Sequence, residues 1–180
     1  MIINKAYLLT DKKNFSSVEE MVRLTFNEVE VYNENNYMTI TTINEDAFQL
    51  KLFKLYRLAM TDMNIKLSVL IVPFYDDMFL KYFNYFNGGV TTVYEVFVRN
   101  LDKKEVISDC KEILSSINKK DIDTIKAFLM CNGNSCVAAS ELYLHRNSFN
   151  YRMNSFISST SMDIRDINTI MFLKLILCIN

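Results

Sequence analysis

Along roughly the first hundred residues the apolar positions switch between a two-residue and a helical period, whereas beyond the polar junction Asn100 to Lys104 every periodic segment is helical. The alternation predicts a strand over Lys5 to Thr10. Val18, Met21, Val22 and Thr25 then give one apolar face to a helix over Ser17 to Phe26. Ser17 and Glu20 have the S-x-x-E spacing of a capping box, in which each side chain accepts the other's backbone N–H, so the helix is expected to begin there. NEVEVYNENNYMTITTI alternates on either side of Asn33 to Asn36, residues that tolerate turn geometry, and predicts antiparallel strands near Glu28 to Tyr32 and Tyr37 to Ile43. Leu52, Tyr56, Ala59 and Met63 recur at helical spacing, and IKLSVLIV follows as a nearly continuous apolar strand, ended by Pro73 and expected at the centre of a sheet. DDMFLKYFNYF reads as a further helix stopped by Asn87 to Gly89, and VTTVYEVFV as a final strand.

The order through Val72 is βαββαβ, a ferredoxin-like arrangement extended by one αβ step, which predicts an antiparallel sheet with helices on one face. The expected architecture is therefore α+β: a βαββαβ(αβ) domain over residues 1–102, serving dimerisation or sensing, followed by an all-α domain over residues 103–180. In the second part, Val106, Ile107, Cys110, Ile113, Leu114 and Ile117 form the stripe of a helix begun by Asp102. A shorter helix over Ile122 to Cys131, capped by Asp121 or Asp123, turns Ile122, Ile125, Phe128 and Leu129 inward; Gly133 can take the left-handed conformation that closes it. The last helix, about Asp166 to Ile179, is apolar on several faces and should pack centrally or against a second copy.

Composition narrows the classes. Half of the 180 residues are apolar, enough for a real core. A net charge of −1 and a pI of about 5.9 exclude a heavily basic nucleic-acid binder, so any contact with DNA must come from local placement. Cys110, Cys131, Cys136 and Cys178 have no framework spacing, and MIINKAYLLTDKK lacks the apolar core of a signal peptide; both predict a reducing cytoplasm. IMFLKLILCI, from Ile170 to Ile179, is interrupted by Lys174 and is shorter than the roughly 20 residues of a spanning helix, so no membrane segment is expected.

The informative stretch is NGNSCVAASELYLHRNSFNYRM, Asn132 to Met153, which holds the single histidine and one of three glycines. Asn134 or Ser135 can cap a helix over which Val137, Ala138 and Leu142 face inward, and the small pair Ala138 and Ala139 lets a second helix approach closely. Tyr143, Leu144 and His145 make a turn short enough to force two helices to cross steeply. On the helix opened by Arg146, Phe149, Met153 and Phe156 share the buried arc; Asn147, Ser148, Tyr151, Asn154 and Ser155 lie opposite, with Arg146 and Arg152 on the flanks and no acid. Such a face offers donors and acceptors to base edges and phosphates. The candidate DNA-contacting residues are Arg146, Asn147, Ser148, Asn150, Tyr151 and Arg152. Of these, Asn147, Ser148 and Tyr151 are expected nearest the bases, Arg146 at a base or a phosphate, and Arg152 at a phosphate.

From about Asp121 to Asn180 the sequence resembles the helix-turn-helix domain that ends transcription regulators of the PucR/CdaR family. The carrying residues are Asn132, Gly133, Asn134, the Ala138–Ala139 pair, Leu142 and HRNSFNYRM from His145 to Met153, close to that family's HRNTLxYRL pattern; Ile157, Asp163 and Asp166 match its downstream positions. The resemblance covers about a third of the chain without gaps and places the helix-turn-helix at about 135–157. It implies cytoplasmic, sequence-specific binding of double-stranded DNA, with a second copy reading a second half-site. Members of the family carry a longer sensory region and a degenerate nucleotide-cyclase-like domain ahead of the helix-turn-helix, and the βαββαβ order is compatible with a reduced relative of that domain. The hairpin turn reads NENN, and Gly88 and Gly89 lack following acids, so cyclase activity is not expected.

Other candidates have plainer readings. His145 is better placed to cap a helix than to bind metal, because no second histidine exists. Cys131 and Cys136 are spaced C-x4-C without a second ligand pair, so neither a zinc site nor a redox switch is assigned. The aromatic cluster Phe79 to Phe86 suits core packing and a dimer interface more than a ligand pocket. No nucleophile with a nearby base, carboxylate pair or phosphate loop is visible, so no enzyme, cofactor or metal is expected. The expected partners are double-stranded DNA and a second copy, with room for a small-molecule or protein effector at the N-terminal domain. The alternative is a protein-interaction module that keeps the helix-turn-helix scaffold without binding DNA.

Overall fold

The computed structural model describes residues 3–43 and 45–179. The chain forms two compact units, Met1–Arg99 and Asn100–Asn180. The first holds β1 (Ile3–Leu9), α1 (Phe15–Thr25), β2 (Val29–Asn33), β3 (Met38–Ile43), α2 (Phe48–Thr61), β4 (Ser68–Val72), a 3₁₀ run (Asp77–Tyr85), β5 (Gly89–Thr92) and α3 (Val93–Arg99). The strands form one sheet in the order β2-β3-β1-β4-β5. Ala6 on β1 faces Ile40 on one side and Ile71 on the other, in antiparallel register.

Alternation along the strands builds the core. Ala6 and Leu8 of β1, Met38 and Ile40 of β3, and Val69 and Ile71 of β4 point to one face, where they meet Val18, Met21 and Val22 of α1 and Leu52, Leu55 and Ala59 of α2. Tyr7 points the other way, and its ring sits edge-on to Tyr37 at 5.4 Å and Tyr75 at 5.2 Å. Each of the core side chains just named is 5% exposed or less, which removes apolar surface worth about 25 cal/mol per Å² from water.

Four expectations change. The sheet is antiparallel only through β4, because β5 runs parallel to β4, with Val69 opposite Val90. The final strand ends at Thr92, where a helix begins: the Thr92 hydroxyl accepts from the Glu95 N–H at 3.1 Å, and the Glu95 carboxylate accepts from the Thr92 N–H at 3.0 Å. That is a capping box, and T-V-Y-E was its signal within VTTVYEVFV. By contrast, Ser17 and Glu20 cap nothing: a 3₁₀ turn over Lys12–Asn14 feeds α1 directly, so the chain is already helical at Phe15. DDMFLKYFNYF winds as 3₁₀ rather than α, a spacing that eclipses residues i and i+3 and sets Tyr82 beside Tyr85 and Phe83 beside Phe86 as tilted ring pairs, with centroids 5.2 and 5.6 Å apart.

The second unit is all helical: α4 (Lys104–Ser116), α5 (Lys119–Met130), α6 (Ser135–Glu141), α7 (Arg146–Thr160) and α8 (Ile167–Cys178). Helix α4 buries Val106, Cys110, Ile113 and Leu114, but starts after Lys103 rather than at Asp102. Helix α5 starts three residues earlier than its periodicity predicts, because Asn118, not Asp121 or Asp123, is the cap; its Oδ1 accepts the Asp121 N–H at 2.9 Å. Asp166 caps α8, which buries Thr169, Phe172, Leu173 and Ile176.

Candidate nucleic-acid interface

The turn between α5 and α6 places two consecutive residues in the left-handed region, Asn132 at φ 53° and Gly133 at φ 78°. Asparagine and glycine are the residues that tolerate it. The Gly133 N–H reaches back to the Phe128 carbonyl at 2.9 Å, closing α5. Asn134 then opens α6: its Oδ1 accepts from the Cys136 and Val137 N–H groups at 3.1 and 3.2 Å. Ala138 and Ala139 are buried, and α6 packs on both α5 and α7. Val137, expected inside, is 46% exposed. It lies about 140° round the helix from Leu142, whereas Ala138 and Ala139 flank Leu142, so a strict wheel count separates them.

The second turn is equally short. Tyr143 adopts φ 53°, and the Leu144 N–H bonds the Ala139 carbonyl at 2.8 Å, holding the start of the next helix against α6. His145 caps α7 through Nδ1, which accepts the Asn147 N–H at 3.2 Å. Phe149, Met153 and Phe156 are buried along one side of α7, and the Phe149 ring lies 6.4 Å from that of Phe128 on α5. Ser161, at φ 59°, ends the helix.

This packing leaves the opposite side open. Arg146, Asn147, Ser148, Asn150 and Tyr151 are exposed, Tyr151 at 75%, and Arg152 is half-buried. Asn154 and Ser155 continue the same face. The helix carries two arginines and no acid from Arg146 to Thr160. Beyond it, the Asp163 carboxylate is occupied by Arg165, which donates from Nε at 2.7 Å and Nη2 at 2.6 Å. Burial pushes the Asp163 carboxyl up, but these bonds and the Arg165 backbone N–H outweigh it and hold the group below the usual carboxylate range. Tyr143, treated above only as a turn residue, is 97% exposed beside this face; its place between Leu142 and Leu144 was the available hint. Among the described residues no cluster of His, Cys, Asp and Glu could hold a metal ion, and no helix is long and apolar enough to cross a membrane.

Residues 122–179 match the PucR C-terminal helix-turn-helix domain. An uncharacterized protein of Bacillus subtilis (strain 168), YxkF, is 37% identical over 60 residues, 33% of this chain; the match spans only 20% of that relative's length. A regulator of polyketide synthase expression from Bifidobacterium adolescentis, known as a crystal structure, aligns over 98% of this chain and 79% of its own, with 14% identity and a TM-score of 0.44. The two short turns, the capped α6 and α7 and the family match agree on one description: residues 122–179 form a helix-turn-helix domain similar to the PucR C-terminal one.

Proposed function

We propose that this chain is a transcription regulator that binds double-stranded DNA sequence-specifically through α7, as a dimer. The observation that carries the reading is the open, acid-free face of α7 in a domain of PucR type. In this mode α7 lies in the major groove with its first turn deepest, so Asn147, Ser148 and Tyr151 approach base edges, with Asn150 on the flank beside them. Arg146 forks onto a guanine edge or a phosphate, and Arg152, half-buried at its root, fits a phosphate. The positive end of the α7 dipole adds to the attraction. Val106 to Asn180 carries eight Lys/Arg against seven Asp/Glu, a net +1, so one copy binds weakly and a second is needed for useful occupancy.

Exposed apolar side chains on the same unit favour a second reading. Met130 is 83% exposed and Tyr143 97%, which suits a protein-interaction module retaining the scaffold. Mobility shift on genomic fragments at two salt concentrations separates the two. A DNA binder shifts discrete fragments and loses affinity steeply with salt. Absence of a shift at both concentrations leaves the interaction module as the surviving reading.

A further inference from the structure

We propose that the outer face of the α1–α2 layer is where two copies of this chain pair, α2 of each against α1 of the other. The inference rests on the dimeric reading above and says which surface makes the dimer. Leu24 on α1 is 81% exposed, and Leu50, Phe53, Leu58, Met60 and Met63, on α2 and just after it, are each at least 40% exposed. Phe26 and Phe48 pack as a tilted ring pair with centroids 5.5 Å apart, which sets the end of α1 beside the start of α2 and brings Leu24 and Leu50 to the same end of the layer. On α2 itself, Leu50, Phe53, Arg57 and Met60 fall within about 80° of arc, away from Phe48, Leu52, Leu55 and Ala59, which pack in the core. A helix covering a sheet needs an apolar stripe on its inner side alone; a second one on the outer side marks a surface that another molecule covers.

The charge on the layer identifies that molecule. Helix α1 holds Glu19 and Glu20 against Arg23, two acids less one base, or −1. Helix α2 holds Lys51, Lys54 and Arg57 with no acid, or +3. Glu19 is engaged by Arg23 and Asn33, and Lys51 by Glu45. Glu20, Lys54 and Arg57 are exposed, and among the described residues no ion pair holds them. One surface thus carries both halves of a complementary pair beside a shared apolar strip. A two-fold axis sets Lys54 and Arg57 of each copy on Glu20 of the other, twice, whereas α2 on α2 would set +3 against +3.

Analytical ultracentrifugation of the full chain without DNA tests this. The wild-type chain should sediment as a dimer at micromolar concentration. Glu20→Lys and Arg57→Glu should each weaken pairing roughly tenfold or more, and the two together should restore it, because the charges exchange across the axis. Leu50→Ser with Phe53→Ser should give a monomer whose circular dichroism matches the wild type. A monomeric wild-type chain, a double charge variant that pairs no better than the single ones, or a dimer indifferent to the two serines would each overturn the proposal. The readout contains no DNA, so the outcome is independent of whether α7 binds a duplex.

Discussion

The Nδ1 atom of His145 accepts the backbone N–H of Asn147 at 3.2 Å, so the side chain that opens α7 also steadies the residue proposed to lie nearest a base. The bond requires the imidazole proton on Nε2. His145→Ala should therefore cost about 1 kcal/mol in thermal or urea unfolding, the ordinary worth of an N-cap, while His145→Asn, a stronger capping residue, should cost little. Equal losses in the two variants would mean that the histidine contributes something other than the cap.

Arg146, Asn147 and Arg152 differ in what they can touch. Replacing Asn147 or Arg146 with alanine should relax preference at one base position by about 1–3 kcal/mol in competition binding, with stability unchanged. Arg152→Ala should weaken all sequences alike and reduce the dependence of affinity on salt. If all three variants bind as the wild type does, α7 is not the reading helix.

Asp163 ties the α7–α8 connection to Arg165 through its side chain and backbone. Its carboxyl is held below its ordinary value in the fold, so its contribution is complete above the unfolded value of about 3.9 and is lost as pH falls through the lower folded value. Asp163→Asn should destabilise by about 1–3 kcal/mol at neutral pH. Below about pH 4 the wild type and the variant should converge. Parallel melting curves across that range would count against the ion pair.

Cys110, Cys136 and Cys178 should separate in labelling. Cys136 and Cys178 are exposed and Cys110 is buried. Burial, and after it the neighbouring Asp109, pushes the Cys110 thiol up to about 11, so it is a neutral thiol at physiological pH. Mass spectrometry after brief alkylation at pH 8 should find Cys136 and Cys178 modified and Cys110 intact until denaturant is added.

What could be read from residue order is what short-range geometry controls. The βαββαβ progression, the left-handed Gly133, a cap for α6 at Asn134 or Ser135 and the division of α7 into a Phe149–Met153–Phe156 side and an Asn147–Tyr151 side all depend on neighbours within a few positions, and they are present, with Asn134 as the cap and Asn132 left-handed beside Gly133. Capping was legible only where one pattern stood alone: S-x-x-E at Ser17 went unused, while T-x-x-E at Thr92 was hidden inside β-branched residues that read as strand.

The family resemblance and the amphipathic form of α7 were thus written locally, in residue types and their spacing. The parallel docking of β5 on β4 and the face of the sheet that α1 and α2 cover were decided only by the folded molecule. The physical reason is that periodicity says which side chains share a face, but hydrogen-bond partners and covering groups arrive from strands and helices tens of residues away, and no local pattern records which of them comes closest.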